Sequence, residues 1–125
     1  MSTGRILILG SEQWVDRPRM ICGLSDASAR IESGVKITLV RNSYASGAAK
    51  MAGDISNDWT KTWPGQYNDG ELIPPGGDIT ANLDLVVTFF VGSPSALLLH
   101  EVNLLKAARV ELMDYSIPDS GEEAA

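Results

Sequence analysis

Ile6-Leu7-Ile8-Leu9-Gly10 is the stretch whose reading decides the fold. Four apolar residues run without a polar break and stop at a glycine. A strand with one wet face alternates apolar and polar residues. A strand buried on both faces does not, and that is the condition inside a parallel sheet. Leu83 to Phe90 (LDLVVTFF) repeats the pattern more strongly, and Val35 to Val40 (VKITLV) and Val110 to Met113 read as two further strands.

Helical spacing fills the intervals. Asp16 predicts a helix cap with Pro18 in the first turn, and Met20, Leu24, Ala27 and Ile31 then recur at helical spacing up to a stop at Gly34. Ser46 predicts the cap of a second helix with Ala48, Met51, Ala52 and Ile55 on its inner face. Ser93 as cap with Pro94 at the first helical position starts a third helix that runs to about Ala108. Residues 64 to 78 are rich in Pro, Gly, Asn and Asp and read as one long loop, functional or mobile. The order β-α-β-α-loop-β-α-β is that of an α/β chain. It predicts a Rossmann-like three-layer sandwich with a mostly parallel sheet of four to five strands. In this reading residues 1–115 form a single domain and residues 116–125 an acidic flexible tail.

The 125 residues suit one domain, and 44% hydrophobic with 21% charged residues is the balance of a globular chain. That balance excludes a disordered, collagen-like or coiled-coil protein. Sixteen acidic against ten basic residues give a net charge of −6, which argues against duplex nucleic acid or an anionic membrane surface as partner. Cys22 is alone and makes no internal disulfide, and no apolar run near Met1 has the length of a signal peptide or a membrane span. The expectation is a cytoplasmic protein.

Ligands of open parallel sheets sit beyond the carboxyl ends of the strands. That rule selects three loops, 10 to 15, 41 to 46 and 91 to 95. They supply Gly10, Ser11 and Trp14, then Asn42 and Ser43, then Gly92, Ser93 and Ser95 as ligand-binding candidates. Glycine lets backbone approach a ligand closely, and the helix start at Ser93 to Ala96 offers free N–H groups and a positive dipole end. Trp14 is placed to stack on a base. The alternative for Trp14, Trp59, Trp63 and Tyr67 is to finish the core or a dimer face.

The third helix carries the candidate catalytic residue. At ~100° per residue, Glu101 falls near the middle of an apolar stripe made by Leu97, Leu98, Val102, Leu104, Leu105 and Ala108. His100, Asn103 and Lys106 fall outside it. Glutamate is rarely buried without a partner, and desolvation raises its pKa. Glu101 therefore pairs with a base, faces a subunit interface or lines a site. One histidine and one cysteine build no zinc site, and neither a Walker loop nor G-x-G-x-x-G is present, so no metal or cofactor is expected.

Gly10-Ser11-x-x-Trp14-x-Asp16-Arg17 after a first strand resembles the opening of the SLOG superfamily, Rossmann-like relatives of the lonely-guy cytokinin-activating enzymes and of the DNA-processing protein A fold. That opening commonly reads G-S-R-x-W, and here Glu12 follows Ser11. The family's H-G-G-A-x-G-A-D stretch corresponds to Arg41 to Ala49, where Gly47-Ala48 is kept and Ala49 stands for the aspartate. Its P-G-G-x-G-T stretch corresponds to Val91 to Ala96, where one glycine is kept. The C-terminal third is also similar to nucleoside deoxyribosyltransferases, in which Asp-Leu-Val-Val leads through a small-residue turn to a helix with a nucleophilic glutamate. Glu101 matches that glutamate when counted back from the last strand.

Both resemblances imply a nucleotide- or nucleoside-derived small molecule bound at the strand ends. The sharper version adds cleavage of an N-glycosidic bond, with Glu101 as nucleophile. They also imply a homodimer or higher homo-oligomer. The rival expectation is a non-catalytic structural or protein-interaction module on a degenerate SLOG scaffold.

Overall fold

The first strand, β1 (Arg5–Gly10), sends Ile6 and Ile8 into one hydrophobic cluster and Leu7 and Leu9 into another. All four are buried, so the unbroken apolar run serves two cores at once. This computed structural model describes residues 4–42, 47–74, 77–80 and 82–118. Along the chain follow α1 (Arg17–Ala29), β2 (Thr38–Arg41), α2 (Ala48–Thr62), β3 (Glu71–Leu72), β4 (Leu85–Phe89), α3 (Ala96–Ala107) and β5 (Glu111–Asp114). The five strands form one all-parallel sheet in the order β3-β2-β1-β4-β5, as expected of a Rossmann-like α/β sandwich.

The two faces are covered differently. Met20, Leu24 and Ala27 of α1 and Ala48, Ala52, Ile55 and Trp59 of α2 pack with Ile6, Ile8, Leu39 and Val87 on one face. On the other, Leu98, Val102 and Leu105 of α3 pack with Leu7, Leu9, Val40 and Val86. The rest of that second face is closed by the crossover from β3 to β4, which contributes Ile73 and Ile79. Arg5 anchors the crossover. Its guanidinium pairs with Glu71 and donates to the Asn82 carbonyl at 3.3 Å.

Local signals were obeyed where they were chemical. The Asp16 side chain accepts from the Arg19 N–H at 3.0 Å, and Pro18 lies in the first turn of α1. Helix ends moved. The first helix stops at Ala29, five residues before Gly34, where the Arg30 N–H bonds back to the Ala27 carbonyl and the Ile31 N–H to the Ser28 carbonyl. The second begins after Gly47 rather than at a serine cap, and Ser46 lies outside the described residues. The third is capped by Ser95, not Ser93: Ser95 is extended and accepts from the Leu98 N–H at 3.3 Å. Gly92 is left-handed (φ 68), and Ser93 and Pro94 lie between it and the cap. The expected loop of residues 64 to 78 contains β3, a strand too short to show a period.

Ser116 and Ile117, expected in the tail, are bonded to the segment that ends β4. The Ile117 N–H donates to the Phe90 carbonyl at 2.8 Å, and the Gly92 N–H donates to the Ile117 carbonyl at 2.8 Å. Residues 119–125 lie outside the described residues.

Gly10 sets how closely α2 approaches the sheet. A Cβ there would sit 2.3 Å from the Ala48 Cβ and 2.6 Å from the Phe89 carbonyl oxygen. Gly10→Ala is expected to lower the unfolding free energy in urea by ~2–3 kcal/mol, the usual cost of overpacking. Gly65, with nothing within 4 Å of an added Cβ, is the control: Gly65→Ala should stay within about 0.5 kcal/mol of the parent.

Candidate functional site

The carboxyl ends of β1, β2 and β4 bring together most of the residues that the three loops supplied. Their individual commitments differ. After β1, Ser11 is buried, and its amide, its carbonyl and its hydroxyl oxygen all have partners. Its N–H donates to the Phe89 carbonyl at 3.0 Å, its carbonyl accepts from the Trp14 and Ala48 N–H groups, and its hydroxyl accepts from the Val91 N–H at 2.9 Å. Only the hydroxyl hydrogen is left to donate. Gly10 is likewise filled from above by Ala48.

Trp14 is a core residue rather than a stacking platform. It is buried, its ring meets Phe89 edge-on at 5.2 Å between centroids, and its indole N–H donates to the Asp16 carbonyl at 3.0 Å. The signals for the two uses are identical in sequence, since a large aromatic just past a buried strand serves either. Trp59 and Tyr67 are also buried, and Trp63 is half-exposed beside them.

After β4, the Gly92 N–H is taken by Ile117, and Ser95 spends its hydroxyl on the helix cap. Ser93 is exposed. Ser43 lies outside the described residues. Sequence spacing missed the closure by Ile117, because the segment that supplies it reads as polar tail.

After β2 the outcome is different. Asn42 is buried, and its side-chain Nδ2 donates to Glu101 Oε1 at 3.4 Å. Glu101 comes from α3 and is 8% exposed, inside the helix's buried face with Leu98, Val102 and Leu105. The expected phase of Glu101 is therefore observed. Leu97 and Leu104, expected beside it in the buried stripe, are 49% and 43% exposed and lie on the solvent flank. The partner of Glu101 is a neutral carboxamide, not a base, across 59 residues of sequence. No spacing rule reports such a pair.

The Glu101 carboxylate takes this single long hydrogen bond among the described residues. No sealed side-chain oxygen or nitrogen there is without a partner, so the second carboxylate oxygen is not sealed from outside. Burial pushes the Glu101 carboxyl above its usual range, against the opposing pull of the Asn42 bond and the His100 charge. Asp114 makes the contrast. Burial pushes it up as well, but bonds from Ser116 and Thr88 and the charge of Arg19 hold its carboxyl below the usual range. Glu101 is the carboxylate whose acceptors are undersupplied. Among the described residues no group of three or more His, Cys, Asp or Glu side chains is placed to hold a metal ion. No helix among them is long and apolar enough to cross a membrane.

The raised carboxyl fixes the sign of a pH effect. Folding favours protonated Glu101, so its contribution to stability is present below the unfolded value near 4.5 and is lost as pH rises through the folded one. Glu101→Gln keeps the shape and removes the charge. It is expected to melt at a higher temperature than the parent at pH 8, with the gap closing as pH falls toward 4.5 in calorimetry.

No family model, no curated protein and no solved structure matches the chain, so the geometry at the end of β2 carries the functional reading.

Proposed function

We propose that the protein binds a nucleoside- or nucleotide-derived small molecule at the carboxyl ends of the strands, with Asn42 and Glu101 as its polar contacts. The observation that supports this most is the second oxygen of Glu101, which belongs to a residue more than nine-tenths buried and takes no hydrogen bond among the described residues. Reached from outside yet set in a largely apolar surround, that oxygen is an acceptor available to an incoming donor. Ribose hydroxyls and the amino edge of a base are donors of the right kind. The sheet order supports the same end of the molecule, because β1 and β4 are adjacent and their connections leave in opposite directions. The resemblance to SLOG proteins agrees with this class of ligand.

Cleavage of an N-glycosidic bond is the catalytic extension of the proposal. A carboxyl raised by burial is suited to hold a proton for the departing base, whereas a nucleophile needs the ionised form. In this extension Glu101 serves first as acid. Water is the second reactant: the sugar carbon forms its new bond to the water oxygen as the bond to the base nitrogen breaks, Glu101 gives its proton to that nitrogen, and the proton released by the water restores the Glu101 carboxyl.

A different observation favours an interaction module. Ser11, Trp14 and the Gly92 N–H are spent within the chain, while Leu97 and Leu104 lie half-exposed on α3. In that reading α3 meets a second copy of the chain. Leu97→Glu with Leu104→Glu should then convert an oligomer to a monomer in sedimentation, and a monomeric parent at high concentration would remove the idea.

The first reading is tested by thermal shift against nucleosides, nucleotides, ADP-ribose and dinucleotides. A ligand at a hundredfold its dissociation constant adds about 2.7 kcal/mol of stability. The increment is expected in the parent and lost in Asn42→Ala and Glu101→Gln, each compared with its own unliganded melting point. An increment of equal size in both variants would place the ligand elsewhere.

A further inference from the structure

Arg41 is the last residue of β2, and its side chain lies on the opposite face from the Asn42–Glu101 pair. Val40 beside it packs with α3, whereas the Arg41 guanidinium lies against Gly53 of α2. A Cβ at position 53 would stand 2.6 Å from Nη1 and 2.9 Å from Cζ. Glycine is a poor residue for a helix interior, so its presence in the second turn of α2 is explained by the room it leaves for this group.

The guanidinium is partly buried and has neither a hydrogen bond nor an ion pair among the described residues. Four of the other five arginines are tied down, the exposed Arg109 being the exception. Arg5, Arg17 and Arg30 pair with Glu71, Asp58 and Glu111, and Arg19 donates to the Tyr115 and Ser116 carbonyls. Sixteen acidic residues are available in the chain, yet no described one reaches Arg41. No sealed side-chain nitrogen lacks a partner there, so the unpaired nitrogens of Arg41 remain open to an incoming group. A planar fork of donors, seated against Gly53 and left without acceptors among the described residues, is matched by the two oxygens of a carboxylate or a phosphate.

We propose that Arg41, seated on Gly53, is a recognition site for an oxyanion, the carboxylate or phosphate group of a small ligand. The site does not depend on the Asn42–Glu101 reading, since the two lie on opposite faces of β2.

The probes are inorganic phosphate and acetate, titrated at constant ionic strength against sodium chloride and followed by nitrogen–proton NMR of the Arg41 side chain and the Gly53 amide. Phosphate or acetate is expected to move both signals saturably, and chloride is not. Saturation by phosphate alone assigns a phosphoryl group, and saturation by both assigns an oxyanion of either kind. In Arg41→Gln the Gly53 response should vanish while the spectrum stays dispersed. Arg41→Lys keeps the charge without the fork and should weaken binding roughly tenfold. Gly53→Ala, which displaces the guanidinium, should weaken it at least as much. Arg17→Gln, remote from the seat, should leave the response unchanged. A non-saturating response, an equal response to chloride, or one that persists at full affinity in Arg41→Lys overturns the proposal.

Discussion

Ser11 ties four parts of the molecule together through one residue. Its amide reaches β4, its carbonyl receives both the loop after β1 and the first turn of α2, and its hydroxyl receives the backbone just past β4. Buried backbone groups must be paired, and at this end of the sheet Ser11 pairs several of them at once. The glycine before it and the left-handed glycine before α2 (Gly47, φ 62) leave the space in which those bonds form. The consequence is a carboxyl end that is already closed over β1 and β4. The Glu101 oxygen and the Arg41 guanidinium, which take no further hydrogen bond among the described residues, lie by contrast near the end of β2.

The uneven coating of the sheet explains why the polar pair is tolerated. Two helices cover one face, but the other has one helix and an irregular crossover. The buried stripe of α3 brings Glu101 to the Asn42 side chain just past β2. Asn42 gives it one donor. The arrangement costs stability while the carboxyl is ionised, and such sites are where proteins keep groups for binding rather than for packing.

Much of the fold was legible because it rests on patterns that repeat. Unbroken apolar runs marked β1 and β4, the Asp16 cap and Pro18 marked the entry to α1, and helical phase put Glu101 inside α3. The misses share a cause. β3 has two residues and cannot show a period, and its place in the sheet is fixed by pairing of Arg41 with Leu72. Ser93 and Ser95 carry equal capping chemistry, and only the Gly92 turn chooses between them. At the site, the composition of the three loops was readable but the destination of their hydrogen bonds was not. Ser11, Trp14 and Gly92 looked available because their partners, Val91, Asp16 and Ile117, are chosen by the tertiary fold. The Asn42–Glu101 pair was invisible for the same reason.

The central position of β1 also sets the order in which the chain is able to assemble. One edge of β1 is satisfied by β2, about thirty residues downstream, but the other waits for β4, and the bonds that bind its two ends to the far segment, Gly4 to Asp84 and Val91 to Ser11, each span 80 residues. A ribosome adds roughly 5–20 residues per second, so on emergence the Ile6 to Leu9 run keeps a bare hydrogen-bonding edge for several seconds. An apolar strand with an open edge is a template for pairing with other chains. The residue that locks the finished molecule is thus made 80 residues ahead of the Val91 amide it holds, and the strand before it keeps an open edge until β4 has emerged.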